Sequence, residues 1–258
     1  MSAAGGESAW PSLGIVVPVY NEAATIERVV QAIGGAAKSY PGRAVLIAVD
    51  DGSDDGSGAK LAELAREVGS LELAGHDENA GYGEAQRTGA ACAHRLGLDY
   101  VAFMDSDLTN PPADLLKIGR LARDGHPYIK GSRLIPGGGM AAVPPLRRLL
   151  TRVANFVARH LFGTRIRDVT NGFRAARTDL FLSWNLHERG FAVIVEEFDA
   201  ALRSGIVPME FATVLGSRSG EQRASAFAAC SPRLLASYLR YPLRARWRRL
   251  TGHKASPA

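Results

Sequence analysis

The acidic triplet Asp105-Ser106-Asp107 directly follows an apolar segment that is typical of a buried strand. Two carboxylates two residues apart at a strand end can bind one hard cation from the same side. Mg²⁺ or Mn²⁺ takes one or two carboxylates from a protein and completes its coordination with phosphate oxygens and water. The triplet therefore predicts a metal site for a diphosphate ligand. Alternatively, its acids cap the helix that begins at Pro111-Pro112.

Polar residues that can contact a nucleotide follow two other predicted strands. Tyr20 can stack on a base or lie beside it, and Glu22 can contact the same base. Asp50 and Asp51 can accept hydrogen bonds from a base N–H or from a ribose hydroxyl. Turn and capping roles are the alternatives, and we expect helix caps from these nearby side chains: Asn21, and Asp54 or Asp55.

Apolar β-branched segments alternate with segments of helical periodicity, which predicts an α/β fold with a mostly parallel central sheet flanked by helices. Ligands bind such sheets beyond the carboxyl ends of the strands, where these acidic residues lie. The predicted strands are residues 13–19, 44–49, 71–74, 100–104, 128–130 and 206–211. One helix is predicted from Asn21 to Gly34-Gly35, and a second follows the acidic turn at residues 50–56 and ends at about residue 68. Further helices are predicted over residues 84–96, 147–161, 195–203 and 232–250.

Composition excludes several classes of protein. The chain is 46% hydrophobic and 22% charged, which excludes a disordered tail, a coiled coil and a disulfide scaffold. Cys92 and Cys230 each follow two alanines, which indicates small core residues in a protein of the reducing cytosol. No segment approaches the roughly 20 apolar residues of a membrane-spanning helix. Residues 1–12 lack the pattern of a signal peptide and are expected to be flexible.

Charge is distributed unequally along the chain. Residues 1–125 contain 10 basic and 18 acidic residues, whereas residues 126–258 contain 21 basic and 8 acidic residues. Arginines of the second half can bind an anionic substrate. Over residues 232–250, six arginines alternate with leucines, tyrosines and Trp247, which is typical of a helix in a membrane interface or of a packing helix with a solvated face. Nucleic-acid binding is disfavoured, because the first half is acidic and carries no binding motif.

Eight motifs across roughly residues 13–220 resemble the inverting family 2 glycosyltransferases of the GT-A fold, and among these the polyprenol-phosphate (dolichol-phosphate) mannose synthases. The first four are IVVPVYNE at 15–22, VDDGSDDG at 49–56, NAGYGEAQRTGA at 79–90 and FMDSDLTNPP at 103–112. The others are KGSRLIPGG at 130–138, RRLLTRVANF at 147–156, DVTNGFRA at 168–175 and GFAVIVEE at 190–197.

The resemblance implies a role for each matching position. The residues that would hold the nucleotide sugar are Pro18, Tyr20, Glu22, Asp50, Asp51, Asp105 and Ser106. Asp105 and Asp107 would hold Mg²⁺ or Mn²⁺ and, with Arg133 and Arg218, would carry catalysis. The acceptor side would be formed by Arg133, Arg147 or Arg152, Asp168, Arg174 and Glu196. Glu196 or the adjacent Glu197 can serve as a general base for a hydroxyl acceptor, whereas a phosphate acceptor needs none.

The implied reaction is inverting transfer of a sugar, mannose first, from GDP-mannose to a polyprenyl phosphate. The alternatives are a UDP-glucose-type transferase acting on a lipid phosphate or a small-molecule hydroxyl, and a non-catalytic binding protein of the same fold. We expect a catalytic domain over residues 13–225 and a basic extension over residues 226–258. The extension should bind the cytoplasmic membrane surface peripherally, and its removal from residue 232 should spare donor binding.

Overall fold

The computed structural model describes residues 9–217 and 232–251, with side chains from residue 236 onward in the second segment. The strands are β1 (Leu13–Val19), β2 (Ala44–Asp51), β3 (Leu71–His76), β4 (Tyr100–Phe103), β5 (Tyr128–Ser132), β6 (Arg174–Arg177) and β7 (Met209–Ala212). The helices are α1 (Ile26–Lys38), α2 (Ser57–Glu67), α3 (Tyr82–Arg95), α4 (Leu115–Arg123), α5 (Pro145–Phe162), α6 (Thr178–Ser183), α7 (Val193–Arg203) and α8 (Pro232–Thr251). A 3₁₀ turn, Pro112–Asp114, precedes α4.

The strands form one seven-stranded sheet in the order β3-β2-β1-β4-β6-β5-β7. The first four strands in this order are mutually parallel, and β5 is parallel to β7. The mostly parallel α/β fold predicted from the sequence is therefore confirmed. Strand β6 was not predicted, because its sequence, Arg-Ala-Ala-Arg, lacks the β-branched and aromatic residues that are typical of strands. It lies antiparallel between β4 and β5.

Strand β1 contributes to the hydrophobic core on both faces of the sheet. Ile15 and Val17 belong to the cluster packed against α1, whereas Val16 belongs to the cluster that contains Phe103 and residues of α3 and α7. Successive side chains of a strand point to opposite faces, so a central strand covered on both sides reads as a continuous apolar run. This is why β1 could be predicted from its sequence.

Helix α1 begins and ends later than predicted. Asn21, the expected N-cap, has a φ of 56°, and its Oδ1 accepts a hydrogen bond from the backbone N–H of Asp54 at 2.9 Å. Asn21 therefore joins the end of β1 to the loop after β2 instead of capping α1. The helix continues through Gly34-Gly35, because glycine inside a helix costs only about 1 kcal/mol and the final turn buries Ala37.

Both ends of the described chain pack onto the domain. Trp10, within the segment expected to be flexible, packs edge-on against Tyr40 with ring centroids 5.4 Å apart. Tyr241 and Ala245 of α8 are each 8% exposed and belong to the hydrophobic core. Removing α8 would therefore uncover part of that core. The expectation that its removal spares donor binding stays a prediction.

The structure describes only one of three further residues that the sequence analysis singled out. Cys92 in α3 is buried, as predicted for a small core residue, whereas Cys230 and Arg218 lie outside the described residues. Among the helices within residues 9–217 and 232–251, none combines the length and the apolar character needed to cross a bilayer.

Candidate active site

The carboxyl ends of β1, β2 and β4 are adjacent, because β1 lies between the other two strands. Ser106, in the loop after β4, donates a hydrogen bond from Oγ to Oε1 of Glu22 at 3.4 Å. This bond joins the loops that follow β4 and β1. Pro18 is half-buried within β1, and Tyr20 is 46% exposed just beyond it. The structure thus brings together predicted nucleotide-binding residues from separate strand ends.

Asp50 and Asp51 have different surroundings at the end of β2. Asp51 is 3% exposed, and its carboxylate oxygens accept the backbone N–H groups of Ala80 and Gly81, each at 2.9 Å. Nδ1 of His76 lies 2.7 Å from Oδ1 of the same carboxylate. Asp51 therefore fastens the loop before α3 to the sheet. Asp50 is half-buried at the strand end, which leaves it the better placed of the two for a nucleotide.

Hydrogen bonds orient both carboxylates of the predicted metal site. The Tyr82 hydroxyl donates to Asp105 Oδ1 at 2.8 Å. Thr109 donates to Asp107 Oδ1 from its backbone N–H at 3.0 Å and from its hydroxyl at 2.8 Å. Both aspartates are half-buried in the loop after β4.

The donor set fits a divalent cation bound together with a diphosphate. Asp105 and Asp107 supply two hard carboxylates, the number that Mg²⁺ usually takes from a protein when phosphate oxygens complete its coordination. Within the described residues, no group of three or more His, Cys, Asp or Glu side chains is placed to hold a metal ion. Asp105 and Asp107 would therefore act with oxygen ligands from the donor substrate and water.

Arg133 and Asp168 form an ion pair on the predicted acceptor side. Arg133 Nε donates to Asp168 Oδ2, and Nη2 donates to Oδ1, each at 2.7 Å. Burial alone would raise the pKa of Asp168, but the charge and hydrogen bonds of Arg133 hold that pKa below its ordinary value. The pair stays charged, and it fixes the orientation of the guanidinium group.

Helix α5 is hydrogen-bonded to the turn that contains Asp168, residues 168–170. Asn155 accepts the backbone N–H of Val169 at 2.7 Å through Oδ1 and donates from Nδ2 to the Thr170 hydroxyl at 2.9 Å. That hydroxyl also accepts a hydrogen bond from Nη2 of Arg133 at 2.9 Å. Sequence analysis missed Asn155 and Thr170, because no spacing rule relates residues so far apart. The predicted arginines of α5 differ in exposure: Arg147 is half-buried and Arg152 is exposed.

Arg174 lies inside the protein, beneath the strand-end site. Its Nε donates to Glu197 Oε2 at 2.7 Å, Nη2 to Gln86 Oε1 at 2.8 Å, and Nη1 to the Gly172 carbonyl at 2.8 Å. Burial alone would lower the pKa of Arg174, but Glu197 raises it, so the guanidinium remains charged. Because these donors point at internal acceptors, Arg174 supports the site and is not placed to contact an acceptor. This corrects the role implied by the resemblance.

Both glutamates considered as a general base are engaged by the protein. Glu197 is fully buried against Arg174. Glu196 is 7% exposed and accepts the backbone N–H groups of His187 at 3.1 Å and Glu188 at 2.8 Å. Glu196 thus holds the loop before α7, and its placement does not support a contact with the acceptor. The expectation that Glu196 or Glu197 serves as a general base for a hydroxyl acceptor is corrected accordingly.

Lys130 of β5 is a buried cation that the sequence analysis did not single out. Its side chain is fully buried, and Nζ donates a hydrogen bond to the Asn171 carbonyl at 3.0 Å. Burial, and then the nearby charge of Arg174, lower the pKa of Lys130 to about 7. No motif signal identifies such a group, because its property depends on what surrounds it in the fold.

Lys130→Met is expected to remove a pH dependence of stability between pH 7 and pH 9. The unfolded lysine has an ordinary pKa of 10.5, so the unfolded state binds more protons than the folded state in this range. The free energy of unfolding of the wild type should therefore rise with pH, by up to about 1.4 kcal/mol per pH unit. Urea unfolding at pH 7, 8 and 9 measures the slope for both proteins. Equal slopes would show that Lys130 is not the titrating group.

The fold and the strand-end site define the class of this protein. The model of the family described as Glycosyl transferase family 2 matches residues 14–183. The chain belongs to this family and is a glycosyltransferase, as the eight motifs predicted.

Curated relatives match most of the chain. Polyprenol monophosphomannose synthase of Mycolicibacterium smegmatis is 29% identical over 199 residues, which cover 70% of this chain and 74% of that protein. Undecaprenyl-phosphate mannosyltransferase of Micrococcus luteus is 29% identical over 237 residues, which cover 90% and 94%. Glucosyl-3-phosphoglycerate synthase from Mycobacterium tuberculosis, solved with Mn²⁺, UDP and phosphoglyceric acid, has a TM-score of 0.64 at 21% identity, and the match covers 90% of this chain and 78% of that chain. This structural likeness confirms the fold.

Proposed function

We propose that this protein transfers a sugar, mannose first, from a nucleoside diphosphate sugar to a polyprenyl phosphate, with inversion at the anomeric carbon. The observation that carries the proposal is the position of α5. Its inner side holds the turn that orients Arg133, and its outer side is apolar and exposed. A phosphate attached to a lipid requires both features. The proposal also draws on the two relatives, whose names include a polyprenol and an undecaprenyl phosphate.

The outer side of α5 is more apolar than its inner side. The exposed apolar side chains recur at intervals of three and four residues and are 37% to 69% exposed: Leu146, Leu149, Leu150, Val153, Phe156 and Val157. A soluble helix normally presents polar residues on such a face. Arg152 and Arg148 lie beside this stripe, and basic residues beside an apolar face suit an anionic lipid surface.

Helix α8 adds a second exposed apolar stripe. Leu243, Trp247 and Leu250 are 52% to 74% exposed, while the opposite side of α8 packs into the core. Arg249 of α8 donates a hydrogen bond to the Leu161 carbonyl of α5 at 2.6 Å, so the two helices are in contact. Membrane contact, expected from the C-terminal extension alone, is therefore proposed for α5 and α8 together.

Donor binding is assigned to the ends of β1, β2 and β4. Tyr20, Glu22 and Asp50 would contact the nucleoside, with Pro18 and Ser106 beside them, while Asp51 holds the neighbouring loop in place. Asp105 and Asp107 would hold Mg²⁺ or Mn²⁺, which when bound neutralises charge on the leaving diphosphate. GDP-mannose is the proposed donor, and a UDP-sugar is the alternative.

Acceptor binding is assigned to Arg133. Asp168 occupies the Nε and Nη2 edge of its guanidinium group, so the Nη1 edge is the one presented to an anion. A phosphate monoester is anionic at neutral pH and attacks the anomeric carbon without a general base. This agrees with the engagement of Glu196 and Glu197 inside the protein. Arg147 and Arg152 of α5 would attract the phosphate region of the lipid surface.

Arg133→Lys is expected to lower kcat/KM for the phosphate acceptor by about 10–100-fold, the loss of one charge-assisted hydrogen bond. Lysine keeps a positive charge beside the buried Asp168, so the domain should remain folded. The dissociation constant of the donor nucleotide, measured by calorimetry, should stay unchanged. Arg177→Lys is the matched control, because Arg177 makes a similar pair with Asp179 at 2.6 Å on the exposed end of β6. Equal effects on donor and acceptor would contradict the assignment.

The proposed reaction is tested with two donors and two acceptors. GDP-mannose and UDP-glucose are each supplied with polyprenyl phosphate in liposomes or with soluble 3-phosphoglycerate, and products are identified by mass spectrometry. The expected product is mannosyl polyprenyl phosphate with the inverted anomeric configuration. Transfer only to the soluble acceptor would overturn the lipid assignment, and a glucosylated lipid would replace the donor assignment. An absence of all products, beside intact nucleotide binding, would overturn both the donor and the acceptor assignments.

A further inference from the structure

We propose that Tyr82 is a positioning residue that holds Asp105 in the orientation needed for metal binding, and that α8 supports Tyr82 through the loop before α7. The inference rests on the metal role given to Asp105 under the proposed function. It concerns the Gly81-Tyr82-Gly83 turn, which has no assigned part in substrate binding. The Tyr82 hydroxyl donates to Asp105 Oδ1 at 2.8 Å, so it acts on a candidate metal ligand without itself offering a hard anionic donor.

The ring of Tyr82 is held in place by its packing. It stacks on Phe191 with ring centroids 4.4 Å apart and an interplanar angle of 29°. The backbone N–H of Gly83 donates to the Arg189 carbonyl at 2.6 Å, and a Cβ on Gly83 would lie 2.0 Å from the Glu188 carbonyl oxygen. Glycine therefore allows the start of α3 to approach this loop closely. The close approach brings the hydroxyl within reach of Asp105.

The loop that supports Tyr82 is itself held by α8. The Tyr238 hydroxyl donates to the Phe191 carbonyl at 3.1 Å, and the Tyr241 hydroxyl donates to Glu188 Oε1 at 2.8 Å. A continuous set of contacts therefore runs from α8 through Phe191 and Tyr82 to Asp105. Outer groups that orient metal ligands typically change metal affinity by about 10–100-fold when removed. Helix α8 thus serves the metal site as well as the core.

Tyr82→Phe tests the proposal, because it removes the hydroxyl and keeps the stacked ring. We expect Mn²⁺ binding in the presence of GDP or UDP, followed by electron paramagnetic resonance, to weaken by about 10-fold. Nucleotide binding in EDTA and the melting temperature should stay at wild-type values, which separates orientation of the ligand from folding. Tyr238→Phe should weaken Mn²⁺ binding in the same direction by a smaller factor.

Tyr100→Phe is the matched control, since its hydroxyl also donates to a backbone carbonyl, that of His126, at 3.1 Å. Its Mn²⁺ affinity should equal that of the wild type. Asp107→Asn separates the metal site itself from the positioning role of Tyr82. If Asp107→Asn loses Mn²⁺ binding while Tyr82→Phe keeps wild-type affinity, the positioning role is overturned and the metal site stands. If Asp107→Asn also keeps wild-type affinity, the metal site and the inference built on it are both overturned.

Discussion

Asp107→Asn is expected to lower the rate of sugar transfer by about 10³-fold while leaving the protein folded. The substitution removes one of the two carboxylates proposed to hold the divalent cation, and charge on the departing diphosphate then loses its main stabilisation. The amide oxygen of asparagine can still accept the Thr109 hydrogen bonds that shape this loop. EDTA should abolish transfer by the wild type, and Mg²⁺ or Mn²⁺ should restore it.

Steady-state rates with saturating donor and acceptor measure this effect, and thermal unfolding reports whether the variant is folded. Asp124→Asn provides the control, because Asp124 is an exposed aspartate at the C-terminal end of α4. Full turnover of the wild type in the presence of chelator would remove the metal from the mechanism. A rate for Asp107→Asn close to that of the wild type would remove Asp107 from the site.

Leu149→Glu combined with Phe156→Glu is expected to abolish binding to anionic liposomes. The two side chains are 56% and 60% exposed on the outer side of α5, so the change should not disturb the core. Burial of each in a lipid surface contributes about 1.5–3 kcal/mol, and the new carboxylates are repelled by anionic headgroups. Partitioning into the membrane should fall by about 10²-fold or more. Transfer to a bilayer-embedded acceptor should fall with it.

Co-sedimentation with liposomes at low and high salt measures the binding, and transfer to a short-chain polyprenyl phosphate in solution reports the remaining chemistry. That transfer should persist, because both substituted side chains are exposed, whereas Asn155, which holds the turn beside Arg133, is buried. Leu73→Glu is the control, since Leu73 is also an exposed apolar residue, 39% exposed, but lies on the edge strand β3 and not on α5 or α8. Wild-type binding by the α5 variant, with loss of binding in Trp247→Ser, would assign membrane contact to α8 alone.

Several features were predictable because they depend on local patterns. The buried strands β1, β2 and β4 read as continuous apolar runs, since they are covered on both faces of the sheet. Parallel strands place their carboxyl ends at one edge. That rule alone placed Glu22, Asp50 and Asp105 in one region, and the eight motifs identified the family that the comparison confirmed.

Other features depend on contacts between distant residues, which no local pattern contains. Asp50 and Asp51 are adjacent and chemically alike, yet only Asp51 is buried against a loop some thirty residues further along the chain. Arg174 belongs to a surface-like basic half of the sequence, but the antiparallel strand β6 carries it into the interior opposite Glu197. Its role therefore follows from burial, which is decided by packing.

The sequence by itself determined the class of fold, the acidic edge of the sheet and the family. Only the tertiary structure decided which side of each helix is covered. An amphipathic pattern shows that a helix has two faces, but not which of them the domain buries. In α5 the domain covers the side that carries Asn155 and leaves the larger apolar side exposed. In α8 it covers Tyr241 and Ala245, which pack into the core cluster that also contains residues of α5 and α7.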